Sequence, residues 1–380
     1  MGLYVPIREE QALENEELSG QPVPEQTEKK SAGNRILGIL GRIGATLLTV
    51  VLLLAVALYG VMFVLAKGPS PTARDLFVRS VQETSAVGFL ARLYFSQAEI
   101  DRIMGADAEV VYEEVDTSLI ELPNRETEPN TDGPVADEWG LVDEDGDGII
   151  VEQVSGEGYN GYMMVVLDPS RVIVGTIPGA YGVRGYTVEQ FAERFDAVAG
   201  VNAGGFYDPA GHGDGSIPET LVVYEGTIYC EEHGIRNGFA GFDSNHILHV
   251  GNFTPWEIQH RDIRYGVCFG PVLMVNGEVV DDEVLASGVN PRTAIGQRSD
   301  GAVLLLVIEG RQVNSLGATL QDVVDVLLSY GAVNACNLDG GSSSMMYYNG
   351  EYLNNCSSVY GVRPVPTSIL VLQEGGTADE

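Results

Sequence analysis

GATLQDVVDVLLSYGAVNACNLDGG, residues 317–341, carries the decisive pattern for the fold. Thr319 stands three residues before Asp322, a capping-box spacing, and Leu320, Val323, Val324, Leu327 and Leu328 recur on one helical face until Gly331 stops the run. Residues 333–338 then read as a short strand, and Asp339-Gly340-Gly341 turns the chain. Working outward, short apolar or β-branched runs bounded by Gly, Pro, Asn or Asp recur at 162–167, 171–176, 221–224, 272–275, 302–308, 345–348 and 367–372. A second helix starts at Thr187, with Gln190 three residues on and Phe191 and Phe195 on one face. Many close strands and two separated helices predict an α+β domain, mostly antiparallel sheet with a few packed helices. No internal repeat of fixed period is present.

Ahead of this domain, residues 43–66 form an uncharged apolar run long enough to cross a hydrocarbon core as one transmembrane helix. The run is too long, and lies too far from the start, for an ordinary cleaved signal peptide. Lys29, Lys30, Arg35 and Arg42 precede it, which predicts a cytoplasmic N-terminus and an extracellular remainder, a single-pass protein of the cell membrane. The organisation expected is a disordered cytoplasmic tail at 1–42, the membrane helix at 43–66 and a helical stalk at 67–112. An acidic linker at 113–146, the folded domain at 147–373 and a disordered tail at 374–380 complete it.

With 54 Asp+Glu against 21 Lys+Arg, the net charge of −33 repels phosphate backbones, so nucleic acid is not an expected partner. Any anionic ligand must be held by a few local arginines and backbone amides. Four polar stretches sit where such groups would be presented: NAGGFYD (202–208), NPRTAIGQ (290–297), EGR (309–311) and NLDGGSSS (337–344). Each alone can be only a turn, since Gly-Gly and Asp-Gly are turn formers.

These four stretches, the 317–341 segment and Arg363-Pro364 together resemble the phosphodiester glycosidase family, over roughly residues 162–372. The resemblance implies hydrolysis of a sugar 1-phosphodiester to free sugar and phosphate monoester, with a sugar phosphate or phosphodiester-linked glycan as partner and no cofactor required. A membrane-tethered architecture suggests a bacterial cell-surface role, such as exopolysaccharide metabolism. The chemistry needs charge neutralisation at phosphate and a carboxylate at the sugar. Asp339 and Glu309 are the candidate catalytic carboxylates. Arg292 is suited to a bidentate phosphate grip, with Thr293, Arg311 and Arg363 nearby in the pattern, and the amides of Gly340, Gly341, Ser342 and Ser343 could form an anion nest. Asn202, Gly204 and Gly205 would hold substrate by hydrogen bonds and close backbone approach. Glu309 could instead pair structurally with Arg311, and Asp339 could simply cap its turn.

Asp143, Asp145, Asp147 and Gly148 match the first half of a calcium loop, but Val154 stands where the terminal Glu belongs. They are candidate ligands of a structural Ca²⁺, or a solvated acidic turn. Neither a zinc signature nor a G-x-S-x-G elbow is present. Cys230, Cys268, Cys336 and Cys356 could form two disulfides or remain free thiols. Two other classes compete with a glycosidase. A wall glycan phosphotransferase should show clustered arginines beside a lipid-accepting groove, and a non-catalytic glycan-binding or assembly protein would dispense with the carboxylates.

Overall fold

The computed structural model describes residues 32–84, 86–105, 110–122, 136–211, 213–229, 238–358 and 360–375. Two compact units divide the chain, Met1–Met62 and Phe63–Glu380. Helix α1 (Ala32–Lys67) begins ahead of the apolar run. Its 31 residues Leu37–Lys67 rise about 46 Å, more than a hydrocarbon core requires. Leu47, Leu53 and Leu54 are exposed along it. A membrane anchor and a signal sequence share this character.

After the end of α1, the second unit continues with α2 (Pro71–Gln82), capped by Ser70, a 3-10 turn at Gly88–Leu93, and α3 (Gln97–Met104), whose capping box joins Ser96 and Glu99. Val78, Ala91, Phe95, Ile100 and Ile103 bury one another, and Phe77 meets Tyr94 edge to face. In place of a free stalk, this small cluster carries α2 onto the folded domain. The chain then forms β1 (Ile149–Gly156), β2 (Tyr159–Val166), β3 (Val172–Thr176), α4 (Val188–Arg194), β4 (Ala197–Asn202), β5 (Val222–Tyr224) and β6 (Thr227–Tyr229). Next come β7 (Phe239–Asp243), β8 (Leu248–Gly251), α5 (Pro255–His260), β9 (Ile263–Cys268), β10 (Val272–Val275), β11 (Glu278–Val279) and α6 (Asp282–Leu285). The last elements are β12 (Arg292–Arg298), β13 (Val303–Ile308), α7 (Leu320–Ser329), β14 (Ala332–Leu338), β15 (Met346–Tyr348), β16 (Glu351–Tyr352) and β17 (Thr367–Leu372).

Seven strands form the main sheet in the order β1-β2-β13-β12-β14-β10-β11, and two five-stranded sheets run β16-β15-β4-β17-β3 and β6-β5-β9-β7-β8. Every ladder among the described strands is antiparallel. The α+β, antiparallel expectation therefore holds.

Alternation along β13 shows why its sequence, VLLLVI, is apolar throughout. Leu304, Leu306 and Ile308 face a core shared with Leu320, Val323, Val324 and Leu327 of α7, whereas Val303, Leu305 and Val307 face the two smaller sheets through Val174, Val201, Phe242 and Ile369. A strand covered on both faces has no solvent side to require polar residues.

Several strands escaped the sequence reading. The stretch 290–297, expected as a loop at a strand end, contains β12, a central strand paired with β13 on one side and β14 on the other. Its polar residues are buried: Arg298 is 0% exposed, clamped between Asp137 and Asp300 and stacked on Trp139. In β7 and β9, glycines obscured the pattern because the Phe239 ring lies where a Cβ on Gly241 or Gly266 would be.

The acidic linker is also partly fastened. Asp116 and Glu114 bond Asn276 through their backbones, Glu121 N–H donates to Ser299 C=O at 2.6 Å, and Asp137 meets Arg298; residues 123–135 lie outside those described.

Candidate active site

Three strand ends converge. Asn202 closes β4, Arg292 opens β12 and Asp339 follows β14 directly. Asn202, fully buried, joins them: its amide Nδ2 donates to Asp339 C=O, while its Oδ1 accepts from Thr293 Oγ1 at 2.9 Å and Met345 N–H at 3.1 Å. Asp339 N–H donates to Ala203 C=O at 2.9 Å. A loop carrying a carboxyl group is thereby fixed from three sides.

The Asp339 carboxyl faces a cavity of about 1830 Å³, lined also by Gly205, Asp208, Glu219, Arg292, Arg311, Gly340, Ser342 and Arg363. Its Oδ2 is buried without a hydrogen-bond partner. Burial pushes this carboxyl up to about 7, against the opposing pull of a Ser343 hydrogen bond and the nearby Arg363, with Asp208 adding to the rise. Such a group gives or takes a proton near neutrality.

Three arginines supply the opposite charge. Arg363 grips Asp208, with Nη2 2.9 Å from Oδ1 and Nη1 3.0 Å from Oδ2, and Nη1 donates to Ser342 Oγ at 3.0 Å. Arg292 is buried; its Nε donates to Ala318 C=O at 3.1 Å and its Nη2 to Gly288 C=O at 2.6 Å and to Glu83 at 2.8 Å. Arg311 donates from Nη2 to Thr84 Oγ1 at 2.9 Å and Asn290 Oδ1 at 3.2 Å. Burial, and then the charges of Arg292 and Arg363, hold the Arg311 guanidinium below its ordinary value. Among the described residues no carboxylate pairs with it. A cavity with a surplus guanidinium and a neutral-range carboxyl suits an anionic substrate and proton transfer.

Residues 195–372 match the family model described as phosphodiester glycosidase. The chain carries a phosphodiester glycosidase family domain. Over 183 residues it is 47% identical to the prophage-derived protein YomE of Bacillus subtilis strain 168, covering 45% of this chain and 27% of that one. It is 26% identical over 212 residues to N-acetylglucosamine-1-phosphodiester alpha-N-acetylglucosaminidase of Homo sapiens, covering 50% of this chain and 40% of the relative. The chain thus spans less than half the length of either relative. The fold is similar to that of the zebrafish enzyme of the same name, solved as a catalytic domain auto-inhibited by its pro-peptide. That likeness has a TM-score of 0.50 and 22% identity, covering 59% of this chain and 82% of that one.

Within the phosphodiester glycosidase domain, the residues expected at the site divide. Asp339, Gly205, Gly340, Gly341, Ser342, Ser343, Arg292, Arg311 and Arg363 line the cavity. Asn202, Thr293 and Gly204 lie behind it: Asn202 and Thr293 bond each other in the interior, and Gly204 N–H donates to Thr367 Oγ1 at 2.9 Å. They position the loops and do not line the cavity.

Glu309 is a correction. It does not line the cavity, nor does it pair with Arg311; its Oε1 accepts from Asn355 N–H at 2.6 Å and Asn355 Nδ2 at 3.1 Å. The positive φ of Arg311, 57°, turns the two side chains of this strand end apart. The amide nest is a second correction. Gly341 N–H donates to Pro291 C=O at 2.9 Å and Ser343 N–H to Gly340 C=O at 3.1 Å, so two of the four amides are already engaged within the protein.

Sequence reasoning missed Asp208, Glu219 and Glu83. The first lay inside NAGGFYD and could have been noticed. Glu219, exposed beside Gly205 with its N–H on Gly205 C=O at 3.0 Å, and Glu83, in the segment taken for a stalk, carry no motif.

Among the described residues the one cluster with metal-ligand spacing is Asp143, Asp145 and Asp147, whose carboxylate oxygens lie within 4.8 Å of one another, away from the cavity lining. Asp143 accepts from the amides of Gly146 and Gly148, and Asp147 from Ile149 N–H and Tyr348 O–H. The turn is thus held by its own backbone amides and by the Tyr348 hydroxyl. Cys268, Cys336 and Cys356 are free thiols, the first two buried, while Cys230 lies outside the described residues. Burial pushes the Cys268 thiol up to about 11, which disfavours the thiolate form.

Proposed function

We propose that this domain hydrolyses a sugar 1-phosphodiester, releasing free sugar and a phosphate monoester. The observation that carries the proposal is the neutral-range Asp339 carboxyl in one cavity with Arg292, Arg311 and Arg363. Water attacks the anomeric carbon and passes a proton to a cavity carboxylate, the bond from that carbon to the phosphate oxygen breaks, and the phosphate monoester departs with the bonding electrons. Its departure is favoured by guanidinium charge, so the arginines lower the barrier where negative charge develops. Asp339 exchanges a proton near neutrality. Glu219 replaces Glu309 as the second carboxylate, being an exposed cavity carboxylate without an arginine partner among the described ion pairs.

The names of the mammalian relatives make N-acetylglucosamine 1-phosphodiesters the first substrates to try. Purified chain is incubated with a panel of sugar 1-phosphodiesters, and both products are followed. Release of free sugar together with monoester in equal amounts is expected; release of neither from any panel member overturns the proposal.

For location, α1 is read as a membrane anchor with a cytoplasmic N-terminus and an extracellular domain, placing the activity in cell-surface glycan metabolism. Arg35 and Arg42 before the apolar run support that orientation. Reporter fusions after Lys67 are expected to be active outside; activity confined to the cytoplasm reverses the topology.

A further inference from the structure

Asn337, near the end of β14, has no part in the steps described above, yet it lines the cavity and is only 2% exposed. Three of its polar groups are engaged. Its N–H donates to Pro271 C=O at 3.0 Å, its C=O accepts from Gly270 N–H at 3.0 Å, and its Nδ2 donates to Gly270 C=O at 2.8 Å. The Nδ2 bond fixes which way the amide points, because the flipped amide would set its oxygen against the Gly270 carbonyl. Oδ1 is left buried without a partner.

A structural asparagine spends both ends of its amide on the protein. Asn202 does so, through Nδ2 to Asp339 and through Oδ1 to Thr293 and Met345. A buried acceptor pinned in place and left unpaired costs free energy that a ligand recovers by supplying the missing donor.

The surroundings say which donor. Arg311 and Arg363 hold the cationic part of the cavity: a Cβ on Gly341 would stand 3.2 Å from Arg311 Nη2, and Arg363 Nη1 is bonded to Ser342. Asn337 keeps other company. The Gly270 that it holds follows Phe269, and a Cβ on Gly205 would meet the Phe269 ring at 2.9 Å and Glu219 Oε2 at 3.7 Å. A carbonyl oxygen repels phosphate oxygens, and neither Phe269 nor Glu219 attracts them. An aromatic surface with a few placed acceptors suits a sugar ring, whose hydroxyls and acetamido N–H are donors. Asp339, the carboxyl assigned to the reaction, stands two residues beyond Asn337 and lines the same cavity.

We infer that Asn337 Oδ1 is the specificity-determining acceptor of the sugar subsite: it receives one ring O–H or acetamido N–H of the sugar and selects against sugars that lack that donor. The inference rests on the cavity being a sugar 1-phosphodiester site. A sugar without the donor leaves the acceptor buried and unpaired, which weakens binding at least about fivefold and up to about a hundredfold.

The test uses the full chain in detergent and methyl esters of sugar C-phosphonates, in which carbon replaces the bridging oxygen so that no cleavage follows binding. Glucose, N-acetylglucosamine and deoxyglucose forms lacking one ring hydroxyl each are titrated calorimetrically into the wild type, Asn337→Leu and Asn337→Ser. In the wild type, loss of the donor at one ring position is expected to weaken binding at least about fivefold. In both variants that same pair of ligands is expected to bind within about twofold of each other, while the ratios at the other positions stay as in the wild type. Each ratio is taken within one protein, so a partly unfolded variant does not disturb it. A wild type that binds every deoxy form as well as its parent overturns the inference without recourse to a variant, and so does discrimination that survives in both variants. Discrimination lost in the variants without cleavage of any phosphodiester by the wild type would keep the subsite and remove the glycosidase; cleavage by a wild type that treats all the sugars alike would do the reverse.

Discussion

Replacing Asp339 with Asn should make the protein more stable and nearly inactive, with the gain growing as pH rises from about 4 to about 7 and complete above that. The wild-type carboxyl has an ordinary value of 3.8 and is raised to about 7 in the fold, chiefly by burial. A group raised in this way has its full contribution to stability below its unfolded value and loses it as pH climbs through its folded value. The loss is at most about 4 kcal/mol, from a shift of roughly three units at 1.36 kcal/mol each. Asn keeps the shape of the loop and carries no charge, so it escapes this loss. Its advantage over the wild type should grow by about 3 kcal/mol between about pH 5 and about pH 8, which for a domain of this size is several degrees of melting temperature. Thermal unfolding of the two full-length proteins at both pH values, followed by far-UV circular dichroism, measures it. Turnover measured alongside should fall by about a hundredfold or more in kcat, since proton transfer at the reacting centre is worth that much. An Asn variant with the same stability difference at both pH values would show that the carboxyl is not desolvated. One that retained turnover within about tenfold would reduce Asp339 to a turn cap, since Asn and Asp cap alike.

Arg298→Ala removes a fully buried guanidinium from Asp137, Asp300 and Trp139, and should destabilise by about 3–5 kcal/mol, read from denaturant midpoints; a loss below about 1 kcal/mol would refute the clamp. Glu309→Gln retains an oxygen for Asn355 and should leave turnover within about tenfold, whereas a catalytic carboxylate would lose far more. Arg292→Ala should cost stability as well as substrate affinity, because the side chain ties Ala318 and Gly288 in the interior; a variant that melts like the wild type contradicts that double role. Calcium at tenfold excess over a millimolar-affinity Asp143–Asp145–Asp147 loop should add about 1.4 kcal/mol, a few degrees of melting temperature over chelator, and an unchanged midpoint removes the site.

The sequence alone determined the features that depend on local chemistry. The capping boxes at Thr187 and Thr319 mark both principal helices because the cap hydrogen bonds are made within four residues, and the structure contains both. The apolar run of α1 needs no partner to be recognised, and VLLLVI announces a buried strand by composition. Asp339 was legible as well, standing where an apolar strand meets two glycines. Tertiary structure decided what depends on pairing and direction. β12 is polar in sequence yet central, because Arg298 finds two carboxylates and an indole that are distant along the chain. Glu309 and Arg311 are near neighbours in sequence, but a left-handed turn at Arg311 sends one into the cavity and leaves the other on Asn355. Glu83 reaches Arg292 from 209 residues away, and no spacing rule encodes a contact at that separation; only the packing of α2 against the 288–292 segment creates it.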